Sequence, residues 1–194
     1  MSVSRTVAEQ PCGAVACADA SASIINHSRL CQQCASIGNT CCQKHEIYVT
    51  WGDCRRILAF YRKKDFYEYR GCDNADYADQ NDDPLWQQNV FRADGSRRVL
   101  KWQANGDCFF LTAAGCILPL EARPLICRLY PHIFTAAGIA AQWDTECRAA
   151  QTTGTTAIEA DIAGVANSDA QRWHQLLYNE ILWERSSDEN WLNL

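Results

Sequence analysis

The chain has 194 residues, of which 47% are hydrophobic and 21% charged, as is typical of a globular protein that buries its own core. Its 23 acidic and 18 basic side chains give a formal net charge of −5. This balance argues against a nucleic-acid partner, because phosphate binding requires a clustered basic surface. We find no apolar run of membrane-spanning length and no secretory signal, so we expect no membrane partner and a cytoplasmic location. In a reducing compartment, twelve cysteines point to metal ligands rather than to disulfides.

Composition divides the chain into three parts. Residues 1–28 are small and polar without periodicity, and we expect a loosely ordered N-terminal arm that includes Cys12 and Cys17. Residues 29–150 contain all the other cysteines and are predicted to form a cysteine-rich metal-binding domain. Residues 151–194 contain no cysteine and are predicted to be a C-terminal helical extension packed on that domain.

The first regular element is predicted shortly after the densest cysteine cluster. Thr50 is placed as a helix N-cap, Asp53 lies close to the positive end of the helix, and apolar residues then recur at helical spacing. We therefore expect a helix over about residues 51–65. Five aspartates follow in residues 71–84, but they lack the ligand order of a calcium loop, so this segment is interpreted as a solvated loop.

Short strands are expected in the middle of the chain. Residues 99–102 read as a strand, and residues 108–118 look like a hairpin around a turn that contains glycine. A further strand pair is expected around residues 136–138, leading to Trp143 and Cys147. The predicted fold class is therefore α+β, helix-dominated with short β-hairpins and organised around a cysteine-ligated metal centre.

Two further helices are expected after the first hairpin. Arg123-Pro124 opens a short helix that carries Cys127 and that Pro131 stops, since proline is tolerated in the first turn but not beyond it. A capping box at residues 168–171 opens the last helix. Its apolar side chains are expected to share one packed face: Trp173, Leu176, Leu177 and Ile181.

The spacing of the cysteines is the feature of the sequence that indicates metal binding. Cys31 and Cys34 form a C-x-x-C pair, whose two intervening residues let both sulfurs face one ion at roughly the 2.3 Å of a zinc–thiolate bond. A lone C-x-x-C also fits a thioredoxin-like redox site, but the preceding residues give poor support for the strand that such a site follows. The adjacent Cys41 and Cys42 follow closely, and four cysteines within twelve residues favour a polydentate metal site.

The remaining thiols are placed where they can join this cluster. Cys108 and Cys116 lie at the two ends of the expected hairpin, which can bring them close together. Cys127 lies between Arg123 and Arg128, and a guanidinium group stabilises the net negative charge of a four-thiolate site.

This order of motifs resembles the CxxCxxxxCC family of zinc- or iron-chelating bacterial proteins. The resemblance covers roughly residues 31–150, and its most specific part is the RPLICRLYP segment at 123–131. It implies a metal-chelating domain, with a distant similarity to flagellin lysine methylases. Six residues rather than the family's four separate Cys34 from the adjacent pair. The ligands that the resemblance implies are Cys31, Cys34, Cys41, Cys42, Cys108, Cys116, Cys127 and Cys147.

Several alternatives remain open at the level of sequence. Eight ligands can form two four-thiolate sites or one polynuclear iron–sulfur cluster with spare thiols. Thiolates suit zinc and iron–sulfur clusters about equally, and we slightly prefer the cluster here. In an extended backbone, Cys41 and Cys42 would point to opposite sides and would not serve one ion, so either they bridge two centres or only one of them is a ligand. His45 is a weaker candidate ligand, whereas Cys54 is expected to pack in the core and Cys72 to lie in a loop.

The function predicted from these patterns is that of a cytosolic protein that holds an iron–sulfur cluster or zinc, with a protein substrate or a metal-delivery partner as further partners. The alternative is an iron–sulfur enzyme for protein modification, similar to a methylase. An extracellular disulfide scaffold is a third class, which the even number of cysteines allows but the adjacent pair and the lack of a signal disfavour.

Overall fold

The computed structural model describes residues 34–35, 38, 40–72, 81–147 and 167–186. Within these residues helices alternate with short antiparallel strands, so the fold is α+β, as predicted. The arm predicted for residues 1–28 lies outside the described residues, as does Cys31. The helices are α1 (Cys41–Lys44), α2 (Trp51–Tyr61), α3 (Pro84–Val90), α4 (Leu125–Leu129) and α5 (Asn167–Ser186). The strands are β1 (Tyr67–Gly71), β2 (Ser96–Leu100), β3 (Leu111–Thr112), β4 (Gly115–Cys116), β5 (His132–Thr135) and β6 (Gly138–Trp143).

Helix α2 begins where its capping residues predict. The Asp53 backbone N–H donates to Thr50 Oγ1 over 2.9 Å, and the Thr50 N–H donates back to the Asp53 carboxylate over 3.2 Å. The helix ends at Tyr61, four residues before the predicted end at 65. Arg62 adopts a left-handed conformation (φ 67°) and its N–H bonds to the carbonyl of Leu58, which closes the helix.

The β1–β2 ribbon places one strand that was predicted beside one that was not. β2 overlaps the strand expected at 99–102, and it pairs antiparallel with β1 in a register that joins Tyr67 to Leu100 and Gly71 to Ser96. The sequence of β1 alternates aromatic with charged residues, a pattern that the basic and aromatic residues before it obscured.

Both predicted hairpins are present. The first is shorter than expected, with β3 and β4 pairing only Leu111 with Cys116 and Thr112 with Gly115. The second joins β5 to β6 through a turn that pairs Thr135 with Gly138, where the glycine has a φ of 143° that side-chain-bearing residues rarely adopt.

The segment 71–84 was interpreted as a solvated loop, and residues 73–80 of it lie outside the described part of the chain. At the C-terminal end of the segment this interpretation is wrong. Asp83 is buried and caps α3, a helix that was not predicted, by accepting from the Trp86 N–H over 3.0 Å. It also accepts from the Ala136 N–H over 3.0 Å and from the Tyr178 hydroxyl. Asp83 therefore holds the start of α3 against the second hairpin and α5.

Helix α5 supplies one of two hydrophobic clusters. Trp173, Leu177 and Ile181 are buried against α3 and α4, whereas Leu176 is 37% exposed, so its predicted place on the packed face is wrong. The helix also begins one residue before the expected cap at Ser168. No helix among the described residues has both the length and the apolar character needed to cross a membrane.

The second cluster lies between α2, β2 and the first hairpin. Cys54 is buried there, as predicted, together with Ile57, Phe66 and Phe110. Cys108 belongs to the same cluster, and it is this cluster that positions the first hairpin against α1.

Candidate metal site

A cavity of about 380 Å³ lies between α1, the first hairpin, α4 and the second hairpin. Apolar side chains such as Ile47, Leu100 and Phe110 form much of its wall. Seven of the eight predicted ligands line this cavity: Cys34, Cys41, Cys42, Cys108, Cys116, Cys127 and Cys147. The first and the last of them, Cys34 and Cys147, are more than 100 residues apart in the chain, so tertiary packing rather than local spacing brings the set together.

Helix α1 presents the adjacent cysteines. Its first turn is closed by the Gln43 side chain, which accepts from the Thr40 N–H over 3.0 Å and donates to Asp107 over 2.8 Å. Cys41 Sγ and Cys42 Sγ are 4.0 Å apart. The expectation that an extended backbone would turn them to opposite sides is wrong, because this segment is helical. Sulfurs around one tetrahedral zinc ion lie about 3.8 Å apart, as follows from Zn–S bonds of about 2.3 Å.

The first hairpin brings its two cysteines to the same wall. The Cys108 N–H donates to the Cys42 carbonyl over 2.7 Å, which fixes the start of the hairpin directly to α1. Cys116 pairs with Leu111 in the β3–β4 ladder, and the Leu111 N–H donates to the Cys108 carbonyl over 2.9 Å. Cys116 thus lies in the hairpin, whereas Cys108, predicted at its other end, lies three residues before β3.

Helix α4 carries Cys127 into the cavity, and its N-terminus is held by a residue of α2. Pro124 gives α4 no side-chain cap, and the Leu125 N–H instead donates to the Asp53 carboxylate over 3.0 Å. The Asp53 carboxylate in turn accepts from Arg56 over 2.6 Å. The position of Cys127 therefore depends on a buried carboxylate that precedes Leu125 by 72 residues in sequence.

The two arginines beside Cys127 have different roles. Arg123 is buried, lines the cavity and donates from Nε to the Leu118 carbonyl over 2.9 Å. Arg128, which was also expected to compensate the thiolate charge, instead donates to the carbonyls of Arg123 and Glu121 over 2.8 and 2.5 Å. Only Arg123 thus places its charge at the cavity wall.

Polar side chains also line the cavity. Tyr130, Asp144 and Cys147 all line it, with the Cys147 N–H donating to the Asp144 carbonyl over 3.2 Å. His45 also lines the cavity, and its ring centroid lies 5.9 Å from that of Tyr130. Tyr130 and Asp144 were not singled out from the sequence, although Tyr130 belongs to the segment that resembles the chelating family.

Burial governs the protonation of most of these thiols. It raises the pKa of Cys108 to about 12 and also raises the pKa of Cys116 and Cys127. The pKa of Cys42 is lowered, chiefly by its hydrogen bond with Cys41 and also by the positive charge of Arg123. An apolar wall with one guanidinium does not stabilise several thiolates, so deprotonation of the whole set requires further positive charge in the cavity.

In the described residues, no group of three or more Cys, His, Asp or Glu side chains is arranged to hold a metal ion. No disulfide is formed between the nine described cysteines. The donor set nevertheless fits zinc or an iron–sulfur cluster chemically, because it consists of soft thiols at one cavity wall. Ligation requires the side chains to rotate from this wall toward a common centre.

Comparison of the chain with protein-family models, with curated proteins and with solved structures gives no match.

Proposed function

We propose that this protein holds an iron–sulfur cluster or zinc through the cysteine thiolates of the cavity, and that its α+β fold is organised around that centre. The observation that supports the proposal is the lining of one cavity by seven predicted ligands, drawn from the segment before α1, α1, the segment before β3, β4, α4 and the segment after β6.

The thiols that line the cavity favour a soft metal ion. Thiolates select zinc, copper(I) and iron–sulfur clusters, whereas magnesium and calcium prefer oxygen ligands. The guanidinium of Arg123 offsets part of the negative charge that four thiolates leave on a divalent ion. A metal centre supplies the remaining positive charge, and each thiol gives up its proton as the sulfur–metal bond forms.

The size of the cavity favours a polynuclear centre over a single ion. At about 380 Å³ it is many times larger than the roughly 10–15 Å³ needed to enclose one water molecule, which is comparable in size to an ion. More than four thiols at its wall likewise exceed the needs of one tetrahedral zinc. An iron–sulfur cluster, or two separate ions, uses both the space and the ligands. The cytoplasm provides the reducing conditions that keep these thiols available.

The test is metal analysis of the full-length chain purified anaerobically, with a visible spectrum of the same sample. We expect stoichiometric iron with sulfide and a brown colour, or stoichiometric zinc without colour. Cys116→Ala and Cys127→Ala should lose most of the metal. Cys54→Ala is the matched control, because Cys54 is a buried thiol that does not line the cavity, and it should retain the wild-type content.

Wild-type protein that contains no stoichiometric metal, and that takes up none when iron and sulfide or zinc are supplied anaerobically, contradicts the proposal. Equal metal content in Cys116→Ala, Cys127→Ala and Cys54→Ala also contradicts it, because the cavity thiols would then have no special role.

A further inference from the structure

The two adjacent thiols of α1 lie side by side at the cavity. Cys41 Sγ and Cys42 Sγ are 4.0 Å apart, and both residues are half-buried and line the cavity. Two bonds of the length of a zinc–thiolate bond, about 2.3 Å each, span up to about 4.6 Å. A single soft atom can therefore bond to both sulfurs with little movement of either side chain.

Hydrogen bonds hold the backbone of this pair in place. The N–H of Thr40, a buried residue directly before the pair, donates to the Gln43 side chain over 3.0 Å, and the Gln43 amide donates to Asp107 over 2.8 Å. The Cys108 N–H donates to the Cys42 carbonyl over 2.7 Å. The pair is thus attached to the segment before β3. Because its backbone is already ordered, less conformational freedom is lost when a ligand binds.

The cavity is larger than a single atom bound to the pair would fill. Its volume of about 380 Å³ lies in the range of roughly 300–1,000 Å³ that is typical of small-molecule sites. Ile47, Phe110 and Leu118 are buried residues of its wall. Apolar cavities of about 150 Å³ already bind benzene, so this cavity has room for an apolar group of at least that size.

A ligand that uses both features has one soft atom for the two sulfurs and one apolar group for the wall. A tetrahedral zinc ion takes four ligands, which is more than the pair supplies, and it carries no apolar group. Trivalent arsenic forms three bonds. In an organoarsenic(III) compound one of these bonds is to carbon, and the other two are to oxygens that thiols can replace. Such a compound requires two neighbouring thiols and no further protein ligand.

We propose that the cavity binds trivalent organoarsenic compounds with one apolar substituent, through Cys41 and Cys42. With an arsonous acid, R–As(OH)₂, two As–O bonds break and two As–S bonds form. Each thiol proton leaves with a hydroxide, so two water molecules are released. Arsenic remains trivalent, and the reaction needs no oxidant or reductant. This binding goes beyond the proposed function, because it uses two of the cavity thiols and no metal ion.

Phenylarsine oxide, which hydrates in water to phenylarsonous acid, is the probe. It is titrated anaerobically into metal-free, reduced, full-length protein, with calorimetry for the affinity and intact mass for the stoichiometry. We expect one tightly bound equivalent at the pair, with the loss of two thiol hydrogens. Cys41→Ala and Cys42→Ala should each weaken this binding by about 10²- to 10⁴-fold, because one As–S bond and the advantage of chelation are lost.

Two variants that keep the pair serve as controls. Cys54→Ala removes a buried thiol outside the cavity and should bind the arsenical like the wild type. Cys116→Ala removes a thiol that lines the cavity and should also bind like the wild type, although the proposed function expects it to lose metal. Circular dichroism identifies any variant that does not fold, and substitution by serine at the same position then replaces alanine.

The apolar wall is tested by changing the substituent on arsenic. Relative to their affinities for dithiothreitol, phenylarsonous acid should bind the protein about 10- to 100-fold more tightly than methylarsonous acid, because a buried ring removes more apolar surface from water. Leu111→Ser, in the wall of the cavity, should reduce this preference by about 3- to 10-fold. Ile117→Ser is the matched control, since Ile117 is 44% exposed and does not line the cavity, and it should leave the preference unchanged.

The outcomes distinguish this inference from the proposed function. Equal affinity for phenylarsonous acid in wild type, Cys41→Ala and Cys42→Ala overturns the assignment to the pair, and so does an equal loss in Cys116→Ala. A protein that shows no preference for the phenyl over the methyl compound overturns the role of the apolar wall. A wild type that does not bind the arsenical overturns the inference and leaves the proposed function standing, because metal content is measured separately. A wild type that binds the arsenical as expected but takes up no metal supports the inference and overturns only the proposed function.

Discussion

The buried carboxylate of Asp53 belongs to a network that connects α2, α4 and α5, and its replacement by alanine is expected to destabilise the protein strongly. Asp53 accepts from the Thr50 N–H over 3.2 Å, from the Leu125 N–H over 3.0 Å and from Arg56 over 2.6 Å. Arg56 also donates to both oxygens of Glu180, over 2.6 and 3.0 Å, so α2, α4 and α5 share this network.

The size of the effect follows from these contacts. Asp53→Ala leaves two buried backbone N–H groups without their acceptor, each at a cost of about 1–3 kcal/mol. Arg56 keeps Glu180, and its side chain is 25% exposed, so loss of its Asp53 contact adds about 1 kcal/mol at most. Burial raises the pKa of Asp53, which shows that its charge is costly to bury, and removal of that charge offsets part of the loss. We expect a net decrease of about 3 kcal/mol in the free energy of unfolding.

Urea denaturation of wild type and variant, at matched metal content, measures this difference. Asp53→Asn should lose less, because the amide oxygen still accepts one hydrogen bond. Asp169→Ala is the control, since its ion pair with Arg172 is exposed and should contribute less than about 1 kcal/mol. The proposed role of the network is wrong if Asp53→Ala destabilises the protein no more than Asp169→Ala does.

Three other substitutions test the packing around α5. Burial raises the pKa of Glu184 from 4.5 to about 7, so folding takes up a proton between these values and the free energy of unfolding should fall as pH rises through this window. Glu184→Gln should flatten that pH dependence in urea titrations, and an unchanged slope contradicts the assignment. In Gly52→Ala, the added methyl group would lie 2.2 Å from the Glu180 carboxylate. A thermal melt should show a loss of about 1–3 kcal/mol in the free energy of unfolding, whereas wild-type stability would mean that Glu180 can move aside freely. Leu177→Ala removes a fully buried side chain and should cost about 2–5 kcal/mol in denaturant, with a loss under 1 kcal/mol inconsistent with its place in the core.

Local signals in the sequence were sufficient for elements whose determinants lie within a few residues. The start of α2 follows from the reciprocal bonds of Thr50 and Asp53, and the short helix with Cys127 follows from Pro124 and Pro131. The second hairpin could be predicted because Gly138 supplies the turn. In each case the residues that define the element are neighbours in the chain.

Features that depend on distant partners were not predictable from local patterns. Asp83 reads as one of several loop aspartates, yet it is buried because Ala136 and Tyr178 donate to it from other elements. In the same way, Asp53 reads as a helix cap, and nothing near it indicates that it also accepts from Leu125. Strand β1 alternates aromatic with charged residues over only five positions, and its limits are defined by its pairing with β2.

The candidate site combines both kinds of information. Cysteine spacing and the resemblance to a chelating family named eight ligands, seven of which line one cavity. Neither the spacing nor the resemblance could indicate that Tyr130 and Asp144 line the same cavity, because their positions depend on the docking of the second hairpin against α4.

X-ray absorption at the metal edge of anaerobically purified, full-length protein tests most directly whether these thiols bind metal. We expect a nearest shell dominated by sulfur, at about 2.3 Å for zinc, with additional metal neighbours if the centre is an iron–sulfur cluster. A nearest shell of oxygen and nitrogen without sulfur, in protein whose thiols are reduced, would show that the cavity cysteines are not the ligands.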